Sequence, residues 1–297
     1  MTAHGDDAIP RMDPDRDATR NAWTARAAAY AEYAVPKNRP FARRLIELLA
    51  PNPGERVLDV ATGPGVVAVE AARAMAGEGD VLATDIAPVW DSWVADAARH
   101  AGVENIAFAT MPADALGLPD DWFDVVACQF GLMFVTEPSA ALAEMKRVLK
   151  PGGRLGVAVW STLDRVAHFV PAVALRDLFP TDSATNERTP LSLSEPGLIE
   201  RLVADAGFTD VHSERRTETF LLDDFEQEWQ RRAGDPAFSA QIAASDDNRV
   251  RAREVVREAL ERFRVGDRWE LPSEAIIVTA AKPVPEEVCG GHEKVLR

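Results

Sequence analysis

Val57-Leu58-Asp59-Val60-Ala61-Thr62-Gly63-Pro64-Gly65 is the stretch that decides the fold. An apolar strand ends in an acid, turns on two glycines and opens the Ala-rich helix Val66–Met75. Gly63 and Gly65 let the backbone approach a ligand closely. The helix start that follows offers N–H groups with no partner of their own, a natural receptor for a carboxylate. The spacing Gly63-x-Gly65-x-x-Ala68 also fits a dinucleotide-binding fingerprint. Taken alone, the motif leaves a nucleotide-type ligand and a plain packing turn both open.

Working outward, the pattern alternates. Strands are predicted at Arg56–Val60, Asp80–Thr84, Ile106–Thr110, Phe123–Cys128 and Arg154–Trp160. Between them lie helices at Val66–Met75, from Pro88 to about His100, and at Ser139–Leu149, the last closed by Lys150-Pro151-Gly152-Gly153. Short apolar strands alternating with helices mean βαβ units and a parallel sheet covered on both faces. Upstream, Arg16–Tyr33 reads as one helix and Phe41–Leu49 as a second, with Pro36 and Pro40 breaking the chain between them. Downstream the rhythm changes. A helix is predicted at Ala167–Leu178, another from the Ser194-Glu195-Pro196 cap to Ala206-Gly207, a strand at Thr209–Thr217 and a final strand at Trp269–Ala280. The expected organisation is a disordered leader 1–15, N-terminal lid helices 16–50 and a ligand-binding core 51–160. The remaining core strands follow in 161–282 with a helical substrate cap (161–193 and 223–265), then a flexible tail 283–297.

The composition narrows the function. With 297 residues and 46% hydrophobic content, the chain is long enough for one large α/β domain with a cap. A net charge of -15 repels phosphate backbones and anionic membranes, so neither nucleic acid nor membrane is an expected partner. Two cysteines support neither a disulfide framework nor a Cys-rich metal site. No apolar segment precedes residue 20 and no apolar run spans a bilayer, so the expected location is the cytoplasm.

Two more acids stand at strand ends. Asp85 closes the second strand 22 residues after Gly63, where a carboxylate can accept both hydroxyls of a ribose. A helix N-cap is its plainer role. Asp114 follows the third strand and could accept from an adenine amino group, or be a solvated loop acid.

With the segments VLDVATGPG, VLATDIAPVW, MPADALGLPDDWFDVVACQFGLMF and EMKRVLKPGGRLGVAVW, the chain resembles the class I S-adenosylmethionine-dependent methyltransferases, in particular those of ubiquinone and menaquinone biosynthesis. The resemblance spans about residues 20–160, and LIERLVADAGFTDV extends it loosely. It implies a Rossmann-like α/β fold: a seven-stranded, mostly parallel sheet with its last strand reversed, helices on both faces and a helical cap. The cofactor it implies is S-adenosyl-L-methionine, with S-adenosyl-L-homocysteine as product. The binding set it implies is Tyr33, Asp59, Ala61, Gly63, Gly65, Asp85, Ile86, Ala113, Asp114, Ala115, Gln129 and Phe130. Where such proteins usually carry Gly-Cys-Gly-Thr-Gly, this chain has Ala61-Thr62-Gly63-Pro64-Gly65, which keeps two of the glycines. The tryptophans Trp90 and Trp93 are a further departure: they either cover the adenine or pack the helix, and packing is the plainer role.

Methyl transfer from a sulfonium needs alignment and exclusion of water more than acid–base chemistry. A hydroxyl acceptor would add a need for a base. His168, after the fifth strand on the cleft side, is the candidate, with a structural histidine as the plainer alternative. No metal is expected. The expected acceptor is a small molecule, natural-product or quinone-like, with O- or N-methylation favoured. C-methylation, or a cofactor-binding protein whose cap catalyses a cyclisation, are the alternatives. A dehydrogenase would need a second mononucleotide half, which the downstream sequence does not offer. A homodimer is left open.

Overall fold

Strand β1 (Arg56–Val60) is buried at four of its five positions, and a strand hidden on both faces needs helices above and below it. The computed structural model describes residues 14–180, 188–235 and 237–285. Around β1 the elements run α1 (Pro14–Leu49), α2 (Val66–Ala74), β2 (Asp80–Asp85), α3 (Trp90–Ala101), β3 (Ile106–Thr110), β4 (Phe123–Gln129), α4 (Pro138–Val148) and β5 (Leu149–Trp160). Then follow α5 (Val170–Leu178), α6 (Leu198–Asp205), β6 (Thr209–Leu222), α7 (Phe225–Ala233), α8 (Ser239–Ala243), α9 (Asp246–Glu261), β7 (Arg264–Val265) and β8 (Arg268–Ala281).

The sheet order is β3-β2-β1-β4-β5-β8-β6. The first five strands are parallel, and β8 runs antiparallel to both neighbours. This is the mostly parallel, Rossmann-like sheet with a reversed last strand that the sequence implies, and the two-residue β7 pairs with β8 off the main path. From β1 the chain winds outward to β3, then returns to place β4 on the other side. Ligand crevices in such sheets open at that switch point, beyond the strands' carboxyl ends.

The N-terminal region departs from expectation. Where two helices separated by prolines are predicted, α1 is one helix of 36 residues with Pro36 and Pro40 inside it. Each proline removes a backbone donor and crowds the preceding turn, which normally breaks a helix. Here tertiary packing overrides that cost, because Ala27, Ala31, Ala34, Phe41 and Leu45 form one buried stripe across the proline segment. Two strands also run longer than their apolar cores. β5 starts at Leu149 and includes the Pro-Gly-Gly turn residues, and β6 continues to Leu222 because β8 pairs with it along its whole length. The predicted leader lies outside the described residues for 1–13, the tail for 286–297 and the cap insertion for 181–187.

The second half of α1 lies directly on β5. A Cβ built on Gly156 would stand 2.7 Å from a terminal methyl of both Leu45 and Leu49, which are buried. Gly156→Ala should therefore lift α1 off the sheet and cost about 1–3 kcal/mol by overpacking. Urea unfolding of the variant measures this, and an unchanged midpoint would refute the close packing.

Candidate functional site

The loop after β1 is shaped from within by Asp59. Its side chain is 1% exposed, and a single oxygen, Oδ2, accepts from the Thr62 hydroxyl (2.6 Å) and from the Ala68 amide of α2 (3.0 Å). The turn then runs through the left-handed region at Ala61, Gly63 and Gly65, with φ of +55°, +53° and +83°. At Gly65 a side chain would also meet Val94 at 3.2 Å. Ala61, where the more usual loop has glycine, is matched by Gly131, whose added Cβ would lie 2.4 Å from that of Ala61. The two positions share one space, and only one can carry a methyl group.

Asp85 ends β2 beside this turn. Its Oδ2 accepts from the Gly63 amide and its Oδ1 from the Ala87 amide, both at 3.0 Å. Burial pushes the Asp85 carboxyl up to about 6 and that of Asp59 up to about 7, against the lowering effect of their hydrogen bonds. Phe130, at the end of β4, holds φ at +56°, a conformation rarely adopted by a bulky residue and found mainly at functional sites.

These elements enclose a cavity of roughly 1000 Å³, open mouth included. Asp59, Ala61, Gly63, Asp85, Ile86, Ala113, Asp114, Gln129 and Phe130 line it. Of the expected set, Gly65 and Ala115 lie next to lining residues without lining the cavity themselves. Tyr33 is displaced further. It faces α7, with the Arg231 guanidinium and the Lys37 ammonium each 3.8 Å from its ring. One turn earlier on the same helix, Tyr30 takes the lining place, its hydroxyl accepting from Asn38 at 3.3 Å. The two tyrosines are three residues apart, and only the direction of the packed helix separates their roles.

His168 is also corrected. It does not line the cavity. It is 3% exposed, with Nδ1 2.7 Å from the Ser273 hydroxyl, and its ring lies between Trp160, Phe169 and Phe220. Burial, then the charge of Arg232, holds its pKa well below the ordinary value. A packed imidazole one aromatic layer away from the cavity stands where the plainer, structural alternative would place it. Among the described lining residues, the titratable ones are Arg16, Tyr30, Asp59, Asp85 and Asp114, and none is a histidine or lysine.

The lid expected at 16–50 contributes side chains that the sequence reading did not name. Arg16, Thr19, Trp23 and Asn38 of α1 line the cavity, and Arg16 pairs with Asp114 at 3.0 Å across its mouth. Trp23 stands edge-on to both Tyr30 and Phe134. The signal available was the Trp23, Tyr30 helical spacing, but not which wall it would meet. Trp90 packs on Ala27, Ala31 and Ala87, as its packing role implies, and also lines the cavity. Gln129 donates from Nε2 to the Asn38 carbonyl (3.1 Å), while its buried Oε1 has no partner among the described residues.

The cavity thus presents two buried carboxylates, a left-handed glycine turn at a helix start, an unpartnered amide oxygen and aromatic walls. Such a site suits an elongated ligand with a vicinal diol, a flat ring and positive charge. Among the described residues there is no cluster able to hold a metal ion, and no helix is long and apolar enough to cross a membrane.

Comparison with known proteins agrees with this geometry. The profile of the ubiE/COQ5 methyltransferase family matches residues 36–171. The ubiquinone/menaquinone biosynthesis C-methyltransferase UbiE of Shewanella frigidimarina is 38% identical over 126 residues, 42% of this chain and 50% of that protein. The UbiE of a second Shewanella strain, W3-18-1, is 30% identical over 186 residues, 59% of this chain and 74% of that protein. In the first pairing the chain spans about half the length of its curated relative. A phosphoethanolamine N-methyltransferase from Haemonchus contortus, solved with phosphomonomethylethanolamine and S-adenosylhomocysteine, superposes with a TM-score of 0.57. At 16% identity over 93% of this chain and 61% of that one, the likeness is one of fold.

The buried Asp59 makes the stability of the protein depend on pH. An acid with a raised folded pKa keeps a proton that the unfolded chain has already released. Its stabilisation is full below its ordinary value of 3.8 and is lost as pH rises to about 7. Asp59→Asn keeps one oxygen to receive both donors and has no charge to desolvate. Each tenfold change in proton affinity between the folded and unfolded chain is worth about 1.4 kcal/mol. Relative to the parent, the variant should therefore gain about 2–4 kcal/mol at pH 8 and lose that gain near pH 4. Thermal melts across this range check it, and a pH-independent difference would contradict it.

Proposed function

The chain belongs to the ubiE/COQ5 methyltransferase family, and from that premise we propose that it binds S-adenosylmethionine in the glycine-turn cavity and methylates a small molecule. The observation that carries the reading is the pair of acids, Asp59 and Asp85, held on the two sides of the Gly63 turn. The residues present fit this cofactor. Asp85 would accept the ribose hydroxyls, the turn at Gly63 and the free oxygen of Gln129 would receive the methionine end, and Asp114 with Ile86 and Ala113 would border the adenine. When bound, S-adenosylmethionine supplies a methyl group already activated by its positive sulfur. The chain's own residues then have to orient, enclose and dry the site. Phe130, Phe134 and the α1 residues Trp23 and Tyr30 form apolar walls for that purpose.

The described lining residues support an acceptor that is already nucleophilic. A neutral hydroxyl acceptor needs a base within reach, and the lining acids are committed to the turn, to Arg16 or, for Asp85, to the ribose of the donor. A carbon of an electron-rich ring or an amine needs alignment alone. The curated relatives are named C-methyltransferases, and carbon is the acceptor atom we favour over the oxygen or nitrogen that the sequence suggests.

Two measurements test the reading. With labelled S-adenosylmethionine and a panel of ring acceptors, the chain should release S-adenosylhomocysteine and place the label on carbon; label found only on oxygen would refute the choice of acceptor. Donor binding should strengthen as pH rises through about 6, because the ionised form of Asp85 is the one that binds hydroxyls and positive charge. Asp85→Ala should weaken binding by about 1.5–3 kcal/mol, roughly ten- to a hundredfold, and abolish that pH dependence. Calorimetry from pH 5 to 8 on parent and variant checks both, and binding that ignores pH and the substitution would overturn the role of Asp85.

A further inference from the structure

The first half of α1 roofs the cavity with Arg16, Thr19, Trp23 and Tyr30. Their helical spacing places the four on one face of the helix. Trp23 meets Phe134, on the loop after β4, edge-on. The apolar support beneath this half is small, a cluster of Ala27, Ala31, Ala87 and Trp90 apart from the main core. Few buried contacts mean that it lifts at low cost.

Charge fastens the outer end of the roof. Nη2 of Arg16 lies 3.0 Å from Oδ2 of Asp114, on the loop after β3. Among the described residues no other ion pair joins residues 14–35 to the rest of the fold. Arg16 and Asp114 both line the cavity, as do Pro112 and Ala113 just before the acid. Their side chains are 38% and 18% exposed, so the pair is open to screening by salt. Asp114 is the acid at the end of the cavity that suits an adenine, whose amino group would donate to it. A guanidinium also offers a carboxylate N–H groups on a planar nitrogen, and as a charged donor it is the stronger of the two.

We infer that Arg16 is an internal competitor of the methyl donor. Arg16 and the base make the same offer to the same acid, and the donor gains Asp114 only when Arg16 gives it up. The inference rests on the reading that S-adenosylmethionine fills the glycine-turn cavity with its base beside Asp114. The sign of the effect sets Arg16 apart from a residue that merely covers the ligand. Removing a cover weakens binding, whereas removing a competitor strengthens it.

The test is calorimetric binding of S-adenosylhomocysteine, whose ammonium and carboxylate cancel, so that the ligand brings no net charge of its own. Arg16→Gln should tighten binding about two- to fivefold at low salt, the range that a half-exposed ion pair commands. Binding to the parent should tighten by a similar factor between about 20 and 500 mM KCl, because salt weakens the pair. The variant should lose that response. Arg16→Lys keeps a cation for Asp114 and should behave as the parent. Arg20→Gln removes the same charge one turn away, where Arg20 pairs with Asp17, and should change nothing. Thermal melts report that each variant is folded. Weaker or unchanged binding in Arg16→Gln, or a salt response that survives it, overturns the competitor. An equal shift in Arg20→Gln overturns it too, by reducing the effect to net charge. A parent that binds no S-adenosylhomocysteine strikes the donor reading itself, whereas a parent that binds it and an Arg16→Gln variant that gains nothing strike only the competitor.

Discussion

The buried carboxylate of Asp59 is the constraint on which the site depends. One oxygen holds the Thr62 hydroxyl and the Ala68 amide in the first turn of α2, so the end of β1, the glycine turn and the helix start move as a unit. The Thr62 amide donates in turn to the Thr84 carbonyl on β2 at 2.9 Å, and the Gly63 amide to Asp85 at the end of that strand. Two neighbouring strands are thereby locked to one turn. The arrangement keeps a second acid beside the first in a place where water cannot screen it, and both carboxyls are held above their ordinary range. Stability is given up where a ligand with hydroxyls and positive charge is to be received, as is common at functional sites.

Helix α1 divides the molecule's stability unevenly. Its second half is part of the main core through Phe41, Leu45 and Leu49. Its first half rests on α3 through a separate, small cluster of Ala27, Ala31, Ala87 and Trp90. Few buried apolar contacts mean a low local cost of opening. The residues that close the cavity, Trp23 and Tyr30, sit on that weaker half, while Asn38 and Lys37 lie near the junction between the two. Pro36 and Pro40 fall in the same stretch, where missing backbone bonds already soften the helix.

Charge is partitioned in the same way. The glycine-turn side is acidic and the side under α7 is basic, with the Phe130–Trp160 stack between them. The two sides thus favour charges of opposite sign, positive at the glycine turn and negative under α7. Low dielectric between the two makes each preference stronger than it would be in water.

How much of this was legible in the sequence follows from the range of the forces involved. Alternating apolar strands and helices, the VLDVATGPG turn and the acids at strand ends report on local backbone and burial, so the sequence alone determined the Rossmann-like sheet and the stretch around which the cavity forms. It misjudged α1, because the local cost of two prolines is visible in a sequence while the buried stripe that overrides it is not. It named Tyr33 for the cofactor and left His168 between a base and a structural histidine, because a residue's position in the chain does not say which face of a helix meets which wall. The meeting of Lys37 and Arg231 over the Tyr33 ring, nearly two hundred residues apart in the chain, was decided by tertiary structure alone, since only the packing of α7 against α1 brings those charges together.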